Sequence, residues 1–211
     1  MSELCLGILL SGRGSTMDAV ARAIVRGELA ATVKVVISNN PAANGLELAR
    51  LHGLPVHVVD RKDGRTRMER HREILDVLQR AGTELVVCAG FNEVLTSEVT
   101  SAFRDRIINT HPSLLPAFSG GMHATQDALE YGAKVTGCTV HFVTDDLDNG
   151  PILAQRTVEV LEEDTEESLA ARVLVEEHKA LPAAIQLIAT GRVIIDGRRV
   201  QIAPAPVPAS R

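Results

Sequence analysis

The segment 107–116 places an amide and an imidazole at the end of an apolar run. Side chains alternate along an extended strand, so Asn109 and His111 are expected to project from one face about 7 Å apart. Pro112 and Pro116 stiffen the backbone that follows. An amide donor and a titratable ring on stiff backbone would suit the stabilisation of a developing negative charge. Taken alone, these residues also fit a simple turn, since Asn and His are common at strand ends.

A second candidate lies in the glycine-rich turn 11–16, which follows an apolar strand and precedes a helical stretch. Two glycines allow a tight turn, and Gly14, Ser15 and Thr16 lie where a helix N-terminus leaves free N–H donors. The turn therefore predicts a phosphate cradle, although many such turns contain glycines for geometry alone. A dinucleotide fingerprint would need glycine at the position of Met17, so a monophosphate fits better than NAD.

The third candidate is the acidic segment 144–151, which follows His141 and holds three carboxylates in four residues. A carboxylate from this segment against His111 would favour the charged imidazole and fix its orientation. As a metal site the segment is poor, because no further acid cluster or histidine pair stands at ligand spacing. An ordinary Asp-rich turn is the alternative interpretation. His141 itself is interpreted as structural.

Composition favours a small-molecule substrate. The chain has 211 residues, a formal net charge of −5 and only 2% aromatic residues, and it contains no Trp. A protein that binds the phosphate backbone of a nucleic acid normally presents a basic face, and single-strand recognition relies on aromatic stacking. The sequence therefore argues against a nucleic-acid partner.

Three cysteines, none with C-x-x-C spacing, indicate reduced core thiols in a cytoplasmic protein. The first apolar run, 4–10, is too short for a signal peptide or a membrane span, so no membrane partner is expected. No linker composition divides the chain, which predicts one domain over 1–203 and a frayed Pro/Ala-rich tail over 204–211.

Strand-like and helix-like segments alternate, which predicts an α/β protein with a mainly parallel twisted sheet, helices on both faces and an antiparallel extension in the C-terminal part. The predicted strands are 4–10, 32–38, 56–59, 84–89, 106–109, 135–143 and 152–160. The predicted helices are 17–26, 42–51, 61–80, 95–103, 123–131 and 164–189. The charged helix 61–80 is expected to present a solvated face, and Pro182 is expected to kink the last helix.

Three motifs in this order give the chain a resemblance to the folate-dependent formyltransferases. The first is Leu10-Ser-Gly-Arg-Gly-Ser15, the second is Asn109-x-His-Pro-Ser-Leu-Leu-Pro116, and the third runs from Thr136 through Leu147-Asp-Asn-Gly-Pro-Ile152. The resemblance covers nearly the whole chain. It implies transfer of a formyl group from 10-formyltetrahydrofolate, the co-substrate, to the amine of glycinamide ribonucleotide in purine synthesis. It also implies that no metal is needed and that the protein is a monomer or a homodimer.

The resemblance also implies roles for individual residues. Asn109, His111 and Asp148 would form the catalytic set. The substrate phosphate would lie on Gly14, Ser15 and Thr16, and Glu177 would meet the ribose hydroxyls. The folate would be bound by Arg67, Asn92, Glu93, Val94, Leu95 and Asn109.

Two departures from the family pattern affect the expected folate site. The family usually has Met-Arg where this chain has Asn92-Glu93, and an aromatic residue where Arg70 stands. The side-chain contacts to the folate are therefore expected to differ from the family pattern, while backbone contacts could be kept. The loop 118–123 differs in length from some relatives and receives no predicted role.

Three alternative functions remain for comparison. A methionyl-tRNA formyltransferase would need a further RNA-binding domain and a basic surface. A 10-formyltetrahydrofolate hydrolase would use the same three residues on water, but its family carries an N-terminal regulatory domain, whereas here the glycine-rich strand-turn is expected almost at residue 1. A non-catalytic phosphometabolite-binding module would use only the N-terminal turn.

Overall fold

A computed structural model describes residues 3–121 and 123–204. Seven of its strands form one sheet in the order β3-β2-β1-β4-β5-β6-β7, and the last two form a separate hairpin. The strands are β1 (Leu4–Leu10), β2 (Ala31–Ser38), β3 (Val56–Val58), β4 (Leu85–Cys88), β5 (Ile107–His111), β6 (Val135–Phe142), β7 (Ile152–Glu159), β8 (Val193–Asp196) and β9 (Arg199–Ile202).

Six helices connect these strands. They are α1 (Ser15–Val25), α2 (Asn44–Leu51), α3 (Arg67–Arg80), α4 (Ser97–Ala102), α5 (Ala124–Tyr131) and α6 (Glu166–Ala189). The predicted α/β class, with a mainly parallel sheet and an antiparallel extension, is confirmed.

The order in which successive strands are added to the sheet reverses at β1. This strand pairs in parallel with β2 on one side and with β4 on the other, so the loops after β1 and β4 leave the sheet side by side. Such a switch point is where open α/β sheets form ligand crevices. Beyond it, β5 is parallel to β4 but antiparallel to β6, and β7 continues the antiparallel part.

Helices cover both faces of the sheet because the buried strands are apolar on both sides. One core joins Leu6, Ile8 and Leu10 of β1 to the buried faces of α1, α2 and α6. The other joins Leu9 of the same strand to the inner faces of α3 and α4. Alternate side chains of one strand therefore support both layers, which holds the ends of the central strands in fixed positions.

The predicted start of the third helix was wrong. The helix α3 begins at Arg67 rather than at residue 61, because Thr66 and Glu69 form a capping box with both reciprocal hydrogen bonds. The predicted solvated face of this helix does not include Arg70 and His71, because both residues are buried. Residues 61–66 form turns and coil that precede the cap.

The hairpin β8–β9 was missed by the sequence analysis. Its signal was present: the Asp196-Gly197 step lies between Val193-Ile-Ile and Arg199-Val-Gln-Ile, and Asp-Gly is a strong hairpin turn signal. The long helix α6 runs from Glu166 to Ala189 with Pro182 inside it. Cys88 and Cys138 are buried as expected, but Cys5 is half-exposed, so it is not a core thiol.

The predicted frayed tail lies outside the described residues, apart from Pro204, and the single domain over 1–203 stays a prediction. Over the ranges 3–121 and 123–204, no helix combines the length and the apolar run that crossing a bilayer requires.

Candidate active site

A cavity of about 380 Å³ opens beside the C-terminal ends of β4 and β5. Its walls come from the loop after β4, the polar end of β5, and the loop between β6 and β7. Apolar side chains supply much of the wall, among them Phe91, Val94, Leu95, Val143 and Leu147. The polar side chains gather at one end, where Asn109, His111, His141 and Asp148 all line the cavity. A concave, mainly apolar space with a few convergent polar groups is the usual form of a small-molecule site.

Asn109 and His111 lie on β5, as the sequence predicts, and both line the cavity. Asn109 pairs across the sheet with His141 of β6, and His111 pairs with Thr139. The Nδ2 of Asn109 lies 3.3 Å from Nε2 of His141. The amide is therefore held by a neighbouring strand and not by a loop.

His141 is a site residue that the sequence analysis interpreted as structural. Its Nδ1 donates to the carbonyl of Phe142 at 2.9 Å, so its Nε2 is free to accept from Asn109. Burial lowers the pKa of His141, opposed by the hydrogen bond to Phe142 and by the charge of Asp148. A neutral His141 therefore orients the Asn109 amide and leaves one of the two amide hydrogens for another acceptor.

Asp148 lies beside both imidazoles. Its carboxylate oxygens are 3.5 Å from Nδ1 of His111 and 3.6 Å from Nε2 of His141, and its side chain is only 9% exposed. Residues far apart in the chain are thus brought together, as expected for the catalytic set. Asp148 has a left-handed backbone with φ 50°, a conformation that aspartate tolerates better than most other non-glycine residues.

The loop after Pro116, to which no role was assigned, supports this cluster. The Nε2–H of His111 donates to the carbonyl of Phe118 at 3.0 Å, which leaves Nδ1 facing Asp148. The N–H of Gly120 donates to Asp148 at 3.0 Å. No motif in the sequence signals these backbone contacts, because any residue supplies a carbonyl or an N–H.

The glycine-rich turn lies next to the cavity but does not line it. Gly14 is the N-cap of α1 with φ 77°, and no described side chain caps this terminus. Ser11 connects the turn to the cavity wall: its N–H donates to Gly90, and its hydroxyl accepts from the N–H of Asn92 at 3.0 Å. The first N–H groups of a helix have no carbonyl partner within the helix, and the phosphate cradle at Gly14, Ser15 and Thr16 stays a prediction.

Glu177 lies on α6, close to the C-terminal end of β5 and behind the lining of the cavity. The hydroxyl of Thr110, which does line the cavity, donates to Glu177 at 3.2 Å. Burial raises the pKa of Glu177 to about 7, and the hydrogen bond from Thr110 opposes this shift.

The expected folate residues fall into two groups. Asn92, Glu93, Val94 and Leu95 line the cavity together with Asn109. Arg67 does not line it and is exposed at the start of α3. The unusual Arg70 is buried behind the wall, where it pairs with Glu93. Across the described ranges, no group of three or more His, Cys, Asp or Glu side chains has the arrangement of a metal site.

Comparisons with known proteins agree with this geometry. The family model described as formyl transferase matches residues 6–185, which include both strands and the loop that carry the polar cluster. The chain belongs to the formyl transferase family. Within that family, it is 38% identical over 186 residues to phosphoribosylglycinamide formyltransferase of Escherichia coli (strain K12), covering 88% of this chain and 87% of that protein.

A solved structure with a similar name also has a similar fold. Glycinamide ribonucleotide transformylase 1 from Symbiobacterium toebii superposes with a TM-score of 0.94 at 43% identity, covering 96% of this chain and 95% of that one. The human trifunctional purine biosynthetic protein adenosine-3 is 40% identical over 188 residues, or 89% of this chain. The chain spans only 18% of the length of that relative.

Proposed function

We propose that this protein transfers a formyl group from 10-formyltetrahydrofolate to the amine of glycinamide ribonucleotide, a step of purine biosynthesis. The observation that carries the proposal is the contact of Asp148 with His111, beside Asn109, at the polar end of an apolar cavity. The similarity to a phosphoribosylglycinamide formyltransferase over 88% of the chain supports the choice of acceptor.

Asn109 and His111 would stabilise the charge that develops during transfer. Attack of the substrate amine on the formyl carbon places negative charge on the formyl oxygen. The amide hydrogen of Asn109 that His141 does not use would donate to that oxygen, and a protonated His111 would add a positive charge nearby. Both groups are fixed on β5 before the substrate arrives, so little reorganisation is needed.

Asp148 would have two roles, one toward the ring of His111 and one in moving the proton that the attacking amine loses. The carboxylate lies 3.5 Å from Nδ1 of His111, so it would accept a hydrogen bond from this nitrogen and hold the ring in one orientation. The proton lost by the attacking amine would pass by way of water near Asp148 to the nitrogen that leaves the formyl carbon. The bond that breaks joins this carbon to N10 of the folate, so tetrahydrofolate departs and neither a covalent enzyme intermediate nor a metal is required.

The two substrates would approach from different sides. The phosphate of glycinamide ribonucleotide fits the free N–H groups at the start of α1, with Gly14, Ser15 and Thr16 around it. Glu177 would accept hydrogen bonds from the ribose hydroxyls, which would lie close to Thr110. The apolar cavity would take the ring system of the folate against Val94 and Leu95, with Asn92 and Glu93 in its wall.

Arg67, exposed outside the cavity, would contact only an extended part of the folate that projects into solvent.

We propose that the reaction takes place in the cytoplasm and that the protein acts as a monomer or a homodimer. Reduced thiols and the purine-synthesis relatives support this location.

One turnover assay tests the proposal against its rivals. The purified protein is mixed with 10-formyltetrahydrofolate, with and without glycinamide ribonucleotide, and both tetrahydrofolate and the formylated amine are measured. Release of tetrahydrofolate that depends on the amine and equals the formylated product supports the transferase. Release without the amine indicates a hydrolase, and no release under either condition indicates a binding module; both outcomes contradict the proposal.

A further inference from the structure

A buried ion pair lies behind the cavity wall, outside the catalytic cluster. The Nη2 of Arg70, on α3, is 2.5 Å from Oε1 of Glu93, which lines the cavity. The Arg70 side chain is 8% exposed and that of Glu93 15%. A second guanidinium nitrogen of Arg70 donates to the carbonyl of Arg65 at 2.7 Å, so the cation is also anchored to the segment before α3.

Further polar groups complete the environment of Glu93. The Nδ2 of Asn39, fully buried at the end of β2, donates to Oε2 of Glu93 at 2.9 Å and to the side-chain oxygen of Asn92 at 3.0 Å. The Nε2 of His71 lies 3.9 Å from Oε2 of Glu93. The N–H of Thr96 donates to the other ring nitrogen of His71, so Nε2 carries the proton.

The charges in this cluster are compensated. Burial acts to raise the pKa of Glu93, but hydrogen bonds from Asn39 and Arg70 outweigh it, so the pKa lies below its usual range. Burial lowers the pKa of His71, which leaves the ring neutral. The cluster therefore holds one cation and one anion, and each would be left buried without its partner if the other were removed.

The pair joins two different elements of the fold. Glu93 belongs to the loop after β4, Arg70 lies on α3, and the two side chains contact each other. A carboxylate alone at position 93 would place an uncompensated negative charge in the wall of the cavity. With Arg70 beneath it, the same carboxylate ties the loop after β4 to α3.

We propose that the Arg70–Glu93 pair positions the segment 92–95 and thereby sets the affinity of the cavity for the folate formyl donor. Asn39 extends this role, because its amide fixes both Asn92 and Glu93. The inference rests on the proposed function, in which this segment contacts the folate. Neither residue touches the reacting atoms, so both are positioning residues.

Steady-state kinetics of Glu93→Gln and Arg70→Met provide the test. We expect the KM for 10-formyltetrahydrofolate to rise at least tenfold, while the KM for glycinamide ribonucleotide stays within twofold and kcat at saturating donor stays within threefold. Arg70→Lys keeps the charge and should restore the donor KM to within threefold of wild type. Calorimetric titration with tetrahydrofolate should show a parallel loss of affinity.

Two further variants separate positioning from simple stability. The double variant Arg70→Met/Glu93→Gln leaves no unpaired buried charge, so it should fold while keeping the raised donor KM. The control is the exposed pair Arg72–Glu98, at 3.0 Å between α3 and α4. Glu98→Gln should change neither KM, since this pair lies outside the cavity wall.

The outcomes for the inference and for the proposed function are distinct. A wild-type donor KM in Glu93→Gln or in the double variant, or an equal rise in both KM values, overturns the inference alone. A wild-type protein that neither transfers the formyl group nor binds tetrahydrofolate overturns the proposed function and the inference with it.

Discussion

At the scale of single residues, the site depends on an amide whose orientation is fixed. Asn109 presents its Nδ2 to His141, and His141 is locked in one tautomer by its bond to the Phe142 carbonyl. This arrangement determines which end of the carboxamide carries the donors. In the proposed mechanism, a rotated amide would offer its oxygen to a developing anion, which is repulsive, so His141 would contribute without contacting the reacting atoms.

Asn109→Ala should lower kcat by ~10²–10³, because one donor to the developing oxyanion is lost. Circular dichroism and thermal unfolding should stay close to wild type, since Asn109 is only half-buried. The matched control is Asn149→Ala, next to Asp148 but bonded to Arg198 outside the cavity. Near-normal turnover in Asn109→Ala would remove this residue from the mechanism.

Glu177 makes stability depend on pH. Its pKa is raised to about 7 from a usual value of 4.5, mainly by burial. Between these values the folded protein holds a proton that the unfolded chain releases, so stability must fall as pH rises through this interval.

Glu177→Gln should remove that dependence. The free energy of unfolding in urea, measured from pH 5 to pH 7, should rise for the variant relative to wild type by about 2 kcal/mol over the interval. Glu176→Gln is the control, because Glu176 is partly exposed and its pKa is lowered by Lys179. If the free energies of unfolding of Glu177→Gln and wild type differed by the same amount at every pH, the raised pKa of Glu177 would be contradicted.

At the scale of elements, the start of α1 combines two constraints on Gly14. Its φ of 77° is in the left-handed region, and a Cβ added there would overlap the Cα of Gly45. The two glycines thus let the first turn of α2 pack directly against the turn that begins α1.

Gly14→Ala should therefore destabilise the protein by more than the backbone conformation alone costs. Gly27→Ala is the matched control, with φ 71° and open space around the position. We expect about 1–2 kcal/mol for Gly27→Ala and a larger loss for Gly14→Ala, measured by urea unfolding. Gly14→Ala should also raise the KM for glycinamide ribonucleotide. An equal loss of unfolding free energy in the two variants would argue against crowding at Gly14.

The sequence predicts most of the elements because their signals are local. The run 4–10 matches β1, and the alternation in 135–143 and 152–160 matches β6 and β7, within one residue at each end. The start of α3 depends on the capping box of Thr66 and Glu69, while the charged residues before it continue the helical character and favour an earlier start. The hairpin β8–β9 has strands of four residues each, so its main local signal is the Asp196-Gly197 step.

The parts of the site that could not be predicted depend on tertiary contacts. Backbone groups of Phe118 and Gly120 hold His111 and Asp148, and a backbone group carries no residue-specific signal. The burial of Arg70 was equally hidden, because a charged helix normally reads as solvated. Glu93, brought beside it by the fold, and the carbonyl of Arg65 together explain why an arginine is stable there.

At the scale of the whole molecule, α6 supports the site from behind. Its buried face packs in the same core as β1, β6 and α1, and it also carries Glu177 to Thr110. Loss of packing along this helix should reduce stability before it changes the chemistry, because the polar cluster itself lies on β5, β6 and two loops.

Val173→Ala should lower the free energy of unfolding by about 2 kcal/mol, since Val173 is 1% exposed and two methyl groups leave a packed core. Val175→Ala, two residues along the same helix and 51% exposed, should change it by no more than about 0.5 kcal/mol. Both variants should keep wild-type kcat when measured well below their unfolding temperatures. A large fall in kcat for Val173→Ala with unchanged stability would show that α6 acts on the chemistry directly.

The antiparallel ladder between β5 and β6 determines which insertions the protein tolerates. Asn109 and His141 are opposite each other because main-chain hydrogen bonds set the register. Insertions beyond the strand ends would leave these partners aligned. One residue inserted within β6 before His141 would instead bring a side chain of the opposite face to Asn109, since each step along a strand reverses the side of the sheet. Homologues of this chain should therefore vary in the lengths of the surrounding loops while keeping the spacing inside β6 constant.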